Sequence, residues 1–189
     1  MDIIQNTKTR IIESAKKLFS DNNYLSVSMS DIAKRLKLTK ASLYYHFTGK
    51  TELYKEILDG VFKEFKKTLS PVFKEKDPRK KFYLFFKRYF EFAKKEKILI
   101  KTIYSKTDND QGKINTHIID LKQKMNLEVE KLLKDIIKEK KSDYSLLSSL
   151  FIGMMDGILN DHSIFNRDIN SKKLSKKILN FIFPRIDSF

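Results

Sequence analysis

The sequence has 189 residues, of which 41% are hydrophobic and 33% are charged, with 3 prolines and 5 glycines. These values predict one or two folded domains that are largely helical. The formal net charge of +15 favours a polyanionic partner, either nucleic acid or an anionic membrane surface, although a generally lysine-rich solvated surface gives the same total. The absence of cysteine excludes disulfides, thiolate metal sites and a cysteine nucleophile.

The N-terminal residues contain an acid at position 2 and no long apolar run, so they do not predict a secretory signal. The longest apolar stretch, residues 146–159, contains two serines, Asp156 and two glycines. It is also shorter than the roughly 20 residues that a membrane-spanning helix needs. We therefore expect a cytoplasmic protein with no membrane partner.

The first 50 residues predict three short helices. A helical stripe of apolar residues runs through Thr7–Ser20, and a second runs through residues 29–36, which Ser28 and Asp31 are spaced to cap. Thr39 is placed to cap a third helix from Lys40 to about Phe47. The last two of these helices, joined by a tight turn, predict a helix-turn-helix.

The third helix buries an apolar face and directs small, basic and hydroxyl-bearing side chains outward. Lys40 can reach a guanine edge or a phosphate, Ala41 permits contact with a thymine methyl, and Ser42 donates or accepts a hydrogen bond. Thr39 and the first free N–H groups of the helix are suited to a phosphate. The expected DNA-binding residues are Ser28, Ser30, Thr39, Lys40, Ala41, Ser42, Tyr44, Tyr45, His46 and Lys50. For Tyr44 and His46 the alternative is packing within the three-helix unit.

Further helices follow to the end of the chain, and no strand pattern is present. The periodicity and breakers predict helices at Lys50–Leu69, 79–95, Ile98–Tyr104, Ile114 to about Glu139, Ser142 or Asp143 to His162, and Ser171–Phe183. The clearest loop runs from Thr107 to Gly112. The predicted fold is therefore all-α with about nine helices.

The C-terminal helices carry aromatic and methionine residues that predict either a pocket for a flat or aliphatic effector or an ordinary core. The candidate pocket residues are Phe82, Phe86, Tyr89, Phe90, Tyr104, Met125, Phe151, Met154, Met155 and Asp156. Asp156 is the polar residue expected to be buried, as a hydrogen bond between helices or as a pocket anchor, with full exposure as the alternative.

The sequence gives no sign of an enzyme. It shows no carboxylate pair, no nucleophile and base at a usable spacing, and no glycine-rich phosphate loop. His117 and His162 lack a partner at metal-ligand spacing, so no metal and no cofactor are expected.

The segment from Thr9 to Leu58 resembles the N-terminal DNA-binding domain of the TetR family of bacterial transcriptional regulators. The resemblance depends on A-x-x-L-F at Ala15–Phe19, D-I-A at Asp31–Ala33, L-Y-x-H-F at Leu43–Phe47 and the F-x-x-K that ends at Lys50. It covers about a third of the chain, and a looser similarity extends to the Asp156-Gly157-Ile158 step. Lys37 stands where the family commonly has glycine, and a positive φ there costs a lysine up to about 1 kcal/mol.

The resemblance implies a DNA-binding domain at residues 1–50 and a ligand-binding and dimerisation domain at residues 51–189. It implies a homodimer that binds a palindromic DNA operator, acts as a repressor and is released when a small hydrophobic effector shifts helix 50–69. The last two helices would form the dimer interface through Leu147, Leu150, Ile158, Leu174, Ile178 and Phe181. The alternatives are a DNA-binding module controlled by a protein partner or acting in DNA organisation, and an enzyme or lipid carrier that uses the C-terminal helices.

Overall fold

The computed structural model describes residues 3–22, 24–96, 112–138, 142–164 and 168–182. Within these ranges the regular structure consists of eight α-helices and one 3-10 turn at Val72–Lys74, and no strand occurs. The helices are α1 Ile3–Asp21, α2 Met29–Leu36, α3 Lys40–His46, α4 Lys50–Leu69, α5 Pro78–Lys95, α6 Gly112–Ile137, α7 Tyr144–Ile164 and α8 Ser171–Ile182. The all-α prediction is confirmed, and the additional helix expected at 98–104 lies outside the described residues.

The helix bounds follow the local signals in the sequence. Helix α4 has the predicted limits, and Pro78 occupies the first turn of α5, where its missing N–H is not needed. Helix α1 begins earlier than expected, at Ile3, because residues 3–6 contain no glycine or proline to stop it. Helix α7 continues past His162 to Ile164.

The chain divides into two compact units, and the first comprises Met1–Val61 and Lys97–Asp120. Its core contains an aromatic cluster of Phe19, Tyr24 and Tyr54. The ring of Tyr54 lies 4.9 Å from that of Phe19 and 4.7 Å from that of Tyr24. The Tyr24 hydroxyl is 3.2 Å from Thr51 Oγ1. These contacts fix the C-terminal end of α1 against the first turns of α4.

The second unit comprises Phe62–Glu96 and Leu121–Phe189. Its core is built on the buried aromatic stripe of α5, which packs against α8. A buried Lys81 on α5 forms an ion pair with Asp135 on α6. Because Lys81 is almost fully removed from solvent, loss of Asp135 would leave a buried charge without its partner.

No helix within the described ranges is both long enough and apolar enough to cross a membrane.

Candidate nucleic-acid interface

A reciprocal capping box fixes the start of α2. Ser28 Oγ accepts a hydrogen bond from Asp31 N at 3.1 Å, and Ser28 N donates to Asp31 Oδ2 at 2.8 Å. The Ser28 hydroxyl also donates to the same carboxylate oxygen at 2.6 Å. These hydrogen bonds to the charged form lower the pKa of Asp31 from its ordinary value. The predicted cap is therefore present, and the Ser28 hydroxyl, expected at the DNA, is held by Asp31.

The turn between α2 and α3 uses a left-handed residue. Lys37 has φ 55° and ψ 37°, the conformation for which glycine is usually chosen. Leu38 N donates to Ala33 O at 3.0 Å and Lys37 N donates to Lys34 O at 3.2 Å, which together form a Schellman motif. The sequence left the geometry of this turn open, and the positive φ of Lys37 lets a three-residue connection bring α3 across α2.

Helix α3 is short and amphipathic, and its outward face is exposed. Leu43 is fully buried, and Phe47 directly after the helix is buried beside it. On the opposite side Tyr45 is 73% exposed and Tyr44 is 51% exposed. Two large aromatic rings in solvent on a seven-residue helix are unusual for a surface that binds nothing, because burial of such rings is favourable.

The predicted contact residues of α3 divide by exposure. Thr39, Lys40, Ala41, Tyr44 and Tyr45 are exposed, whereas Ser42 and His46 are half-buried. The backbone N–H of Ser42 is not free for a phosphate, because Thr39 Oγ1 accepts its hydrogen bond at 3.1 Å. The ring of His46 lies edge-on to that of Tyr45 at 5.2 Å. The exposed members thus form one continuous outward surface.

Lys50 and Ser30 were expected to contact DNA, but neither side chain is fully exposed. Lys50 Nζ donates to the carbonyl oxygen of Tyr24 at 2.9 Å and lies 4.3 Å from the centre of the Tyr24 ring. Burial lowers the pKa of Lys50 from its ordinary value. Ser30 is half-buried on α2. Lys50 therefore anchors the start of α4 to the turn after α1, and its DNA contact stays a prediction.

One exposed residue of this unit was not anticipated. Leu25 is 66% exposed in the turn between α1 and α2. An apolar residue beside serine in a turn gives no periodic signal, so the sequence pattern did not single it out.

The aromatic residues proposed for a pocket pack on one another in the second unit. Phe82, Phe86, Tyr89, Phe90, Met125 and Met155 are buried, and Phe151 and Met154 are half-buried. The ring of Phe151 on α7 lies 5.7 Å from that of Phe82 and 6.0 Å from that of Phe86. Tyr104 lies outside the described residues. These residues therefore form a packed aromatic contact between α5 and α7.

Asp156 links the same two helices. The Tyr89 hydroxyl donates to Asp156 Oδ1 at 2.6 Å. Burial raises the pKa of Asp156, and the hydrogen bond from Tyr89 opposes this rise. Of the roles considered for Asp156, full exposure is excluded, and the hydrogen bond between helices is present.

The six residues proposed for a dimer interface do not all face solvent. Leu150 is exposed and Phe181 is 84% exposed, whereas Leu147, Ile158 and Leu174 are half-buried. Ile178 is buried within the protomer, so its role in an interface stays a prediction. It shares the helical face of Ser171 and Ser175, which are also buried.

The histidines show no metal-site geometry in the part of the chain that the structure describes. His117 Nε2 lies 2.9 Å from Asp59 Oδ1, and His162 Nδ1 lies 2.8 Å from the carbonyl oxygen of Ile158. Within the described ranges no three histidine, aspartate or glutamate side chains come together as metal ligands.

The fold and the α2–α3 geometry define a helix-turn-helix DNA-binding protein. The sequence profile of the family described as bacterial regulatory proteins, tetR family, matches residues 11–57. This match contains α2, the Lys37 turn and α3. Residues 11–57 therefore match the DNA-binding domain of the TetR family of transcriptional regulators.

Two relatives and two solved structures extend this comparison. The biofilm operon icaADBC negative transcriptional regulator IcaR of Staphylococcus epidermidis is 40% identical over 58 residues, which is 31% of either chain. IcaR of Staphylococcus aureus strain Newman is 29% identical over 150 residues, covering 77% of this chain and 80% of the relative. FadR of Bacillus subtilis, solved with stearoyl-CoA, has a TM-score of 0.79 at 15% identity and covers 93% of this chain and 97% of its own. AibR, solved with isovaleryl coenzyme A and operator DNA, has a TM-score of 0.73 at 20% identity, with coverage of 94% and 98%. At these identities the two structures establish the fold alone.

Proposed function

We propose that the protein is a transcriptional repressor that binds a palindromic operator as a homodimer through the outward face of α3. The observation that carries the proposal is the pair of solvent-exposed rings, Tyr44 and Tyr45, beside the exposed Lys40 on a helix capped at Thr39. Such a helix enters the major groove, where its N-terminal side chains contact base edges and its flanks contact phosphates.

A two-fold dimer supports the palindromic operator. Two copies of α3 related by two-fold symmetry require two inverted half-sites, whose centres lie about one helical turn of DNA apart or a multiple of it. Each half-site would be read by one α3.

The dimer surface is supported by an exposed stripe on α7. Leu146, Leu150, Gly153 and Gly157 recur at helical spacing, and all four are exposed. A Cβ atom added at either glycine would meet no atom within 4 Å. Small residues beside exposed leucines allow a second helix to approach closely. Together with Phe181 on α8, this stripe is the surface that we assign to the partner copy, in place of the buried Ile178.

Repression is supported by the relatives, since both IcaR proteins are negative transcriptional regulators. We propose the same direction of control here. The regulated genes of those relatives are not carried over, because the longer match is only 29% identical.

A small hydrophobic effector is proposed to release the DNA. Two structures of the same fold hold acyl-coenzyme A molecules, which makes acyl-CoA thioesters the first class to test. The effector would act by binding the DNA-free state more tightly, because a ligand shifts a conformational equilibrium only by its differential affinity. Helix α4, which follows the helix-turn-helix directly, is the element proposed to shift.

The second candidate is a DNA-binding regulator of the same fold that takes no small molecule and responds to a protein partner. The close ring packing of Phe151 on Phe82 and Phe86 favours it, because those residues were the proposed pocket. A thermal-shift panel of acyl-CoA thioesters separates the two. A saturable rise in Tm that coincides with loss of DNA binding supports the effector, and silence across the panel favours the protein partner.

Fluorescence anisotropy on DNA selected from a random library tests the DNA claim. We expect an inverted repeat to be selected, and Tyr45→Ala and Lys40→Ala to weaken its binding by about tenfold or more, since one good base contact contributes ~1–3 kcal/mol. Lys63→Ala on α4 removes the same charge from an exposed site and is the matched control. Selection without an inverted repeat, or equal losses in Lys40→Ala and Lys63→Ala, would refute the proposal.

A further inference from the structure

A groove lies between the N-terminal part of α5 and α8, within the second unit. Its volume is about 390 Å³, and it is lined by Asp77, Arg79, Lys80, Tyr83, Lys176 and Leu179. None of these residues belongs to the DNA-binding face, the aromatic contact of α5 with α7 or the proposed dimer surface.

The groove concentrates positive charge. Arg79, Lys80 and Lys176 supply three cations and Asp77 supplies one carboxylate, so the described residues of the lining carry a formal charge of +2. The carboxylate is already engaged, because Asp77 Oδ1 accepts the backbone hydrogen bond of Lys80 at 2.7 Å as the cap of α5. The cations that α5 and α8 supply to the groove therefore outnumber its one carboxylate.

In the part of the chain that the structure describes, most lysines of α5 form ion pairs, and the lysine that lines the groove does not. Lys81, Lys87, Lys94 and Lys95 each form an ion pair with Asp135, Glu91, Asp168 and Glu64 respectively. Within the described ranges Lys80 is the one lysine of α5 without an acidic partner, and it lines the groove. Among the described residues, Lys176 also has no acidic partner, and Arg79 is engaged by the neutral amide of Asn180, at 3.5 Å.

The floor of the groove is apolar. Tyr83 and Leu179 are half-buried and contribute a ring and a branched aliphatic side chain. An occupant that fits both features needs a charged head for the cations and an apolar part for the floor, as small-molecule sites in proteins generally do.

We propose that this groove binds a small organic phosphate monoester with a short apolar substituent. The phosphate, with a charge of about −2 at neutral pH, matches the +2 of the lining and can accept hydrogen bonds from cations on both helices. The apolar substituent covers Tyr83 and Leu179. Bound in this way, the ligand relieves the repulsion between Lys176 on α8 and the two cations on α5.

The groove is distinct from the proposed dimer surface. At 3.6 residues per turn, Lys176 and Leu179 lie on one flank of α8, and Leu174 and Phe181 lie on the opposite flank. The site therefore remains open in the proposed homodimer, and its occupation does not depend on the proposed function.

The test uses hexyl phosphate as the probe, with inorganic phosphate and hexanol as its charged and apolar parts. Because the sequence contains no tryptophan, Tyr83→Trp places a single indole in the groove. We expect saturable quenching by hexyl phosphate, and titration calorimetry on the unmodified protein to give the same Kd. Both partial probes should bind at least about tenfold more weakly.

Paired charge variants locate the binding. Arg79→Gln with Lys176→Gln should weaken binding of hexyl phosphate by about tenfold, and Lys176→Gln alone by several-fold. Lys177→Gln removes the same charge from an exposed position on another face of α8, outside the groove, and should leave the Kd within about twofold. Should the double variant fail to fold, the comparison of Lys176→Gln with Lys177→Gln shows whether the lost charge must lie in the groove to weaken binding.

Several results would overturn the proposal. If inorganic phosphate bound as tightly as hexyl phosphate, the apolar floor of the groove would contribute nothing to the affinity. Equal losses of affinity in Lys176→Gln and Lys177→Gln would show that only the general positive charge matters. Binding to phosphatidate vesicles without binding to free hexyl phosphate would indicate membrane attraction in place of a small-molecule site.

Discussion

Two aspartates, one in each unit, have pKa values displaced in opposite directions. Asp31 is exposed, and hydrogen bonds from Ser28 lower its pKa. Asp156 is half-buried, and desolvation raises its pKa despite the hydrogen bond from Tyr89. The first unit thus uses local polar contacts at its surface to set the geometry of the DNA-binding helices. The second unit holds its helices together through aromatic contacts that connect residues far apart in sequence.

This difference predicts where each unit is vulnerable. The helix-turn-helix depends on residues three to five positions apart, such as Ser28 with Asp31 and Leu38 with Ala33. The α5–α7 contact depends on rings more than 60 residues apart, such as Phe86 and Phe151. Substitutions at buried rings should therefore cost far more than substitutions at caps.

The largest expected effect comes from truncation in the aromatic contact. Phe86→Ala should lower the free energy of unfolding by about 3–5 kcal/mol, because Phe86 is fully buried and its removal leaves a cavity. Urea unfolding followed by circular dichroism gives the value. Phe73→Ala, at a partly exposed ring in the 3-10 turn, is the control and should lose much less. A loss of under about 1 kcal/mol for Phe86→Ala would instead indicate a pre-existing cavity at this site.

The next effect tests the capping box. Ser28→Ala should lower the free energy of unfolding by about 1 kcal/mol, because it removes the acceptor for Asp31 N at the start of α2. Ser149→Ala, at an exposed position inside α7, is the matched control and should be near neutral. If both variants behaved alike, the hydrogen bonds of Ser28 would be irrelevant to the fold.

Substitution of Lys37, in the turn between α2 and α3, should change the free energy of unfolding by a smaller amount and in the opposite direction. Lys37→Gly should raise the free energy of unfolding by about 0.5 kcal/mol, since glycine adopts positive φ without the clash of a Cβ atom and loses part of the gain to chain entropy. Lys138→Gly tests the same effect, because Lys138 has φ 57° directly after α6. Lys37→Val should be destabilising. Thermal unfolding of the three variants measures these changes. A Tm for Lys37→Val above those of both glycine variants would contradict the expected cost of a positive φ.

The smallest effects are the pH dependences of the two aspartates. Asp31 stabilises the fold above its unfolded pKa, and this contribution is lost as pH falls through its lower folded pKa. Asp156 acts in the opposite sense: the folded protein holds its proton to higher pH, so stability declines as pH rises through its folded pKa. Urea unfolding between about pH 3 and pH 7 should show a weaker acid loss in Asp31→Asn and a weaker decline at higher pH in Asp156→Asn. Identical profiles for both variants would rule out opposite shifts.

The same distinction between local and distant contacts explains what the sequence revealed. The limits of α4 and the caps at Ser28 and Thr39 were predicted, because each depends on neighbouring residues. The conformation of Lys37 was left open. The internal role of Lys50 was not predicted. Its partner Tyr24 precedes it by 26 residues, and no local pattern reports that contact.

Burial on the C-terminal helices was only partly predictable for a related reason. A stripe of apolar residues on α8 predicts which positions are buried. The pattern does not show whether they are buried within the protomer or against a partner copy. Ile178 meets the protomer, and Phe181, three residues further on, faces solvent. The groove beside Tyr83 was likewise missed, because it exists only once α5 and α8 are packed together.

The two exposed glycines of α7 have a consequence for how the protein responds to dilution. Glycine inside a helix costs roughly 1 kcal/mol relative to alanine, so Gly153 and Gly157 weaken α7 in an isolated protomer. Association of two copies along that stripe, as proposed above, would stabilise α7, and its stability would then rise with protein concentration. Amide hydrogen exchange within 146–160 would slow as the protein is concentrated. At a low concentration of the protein in the cell, the fraction present as the DNA-binding dimer would depend on that concentration.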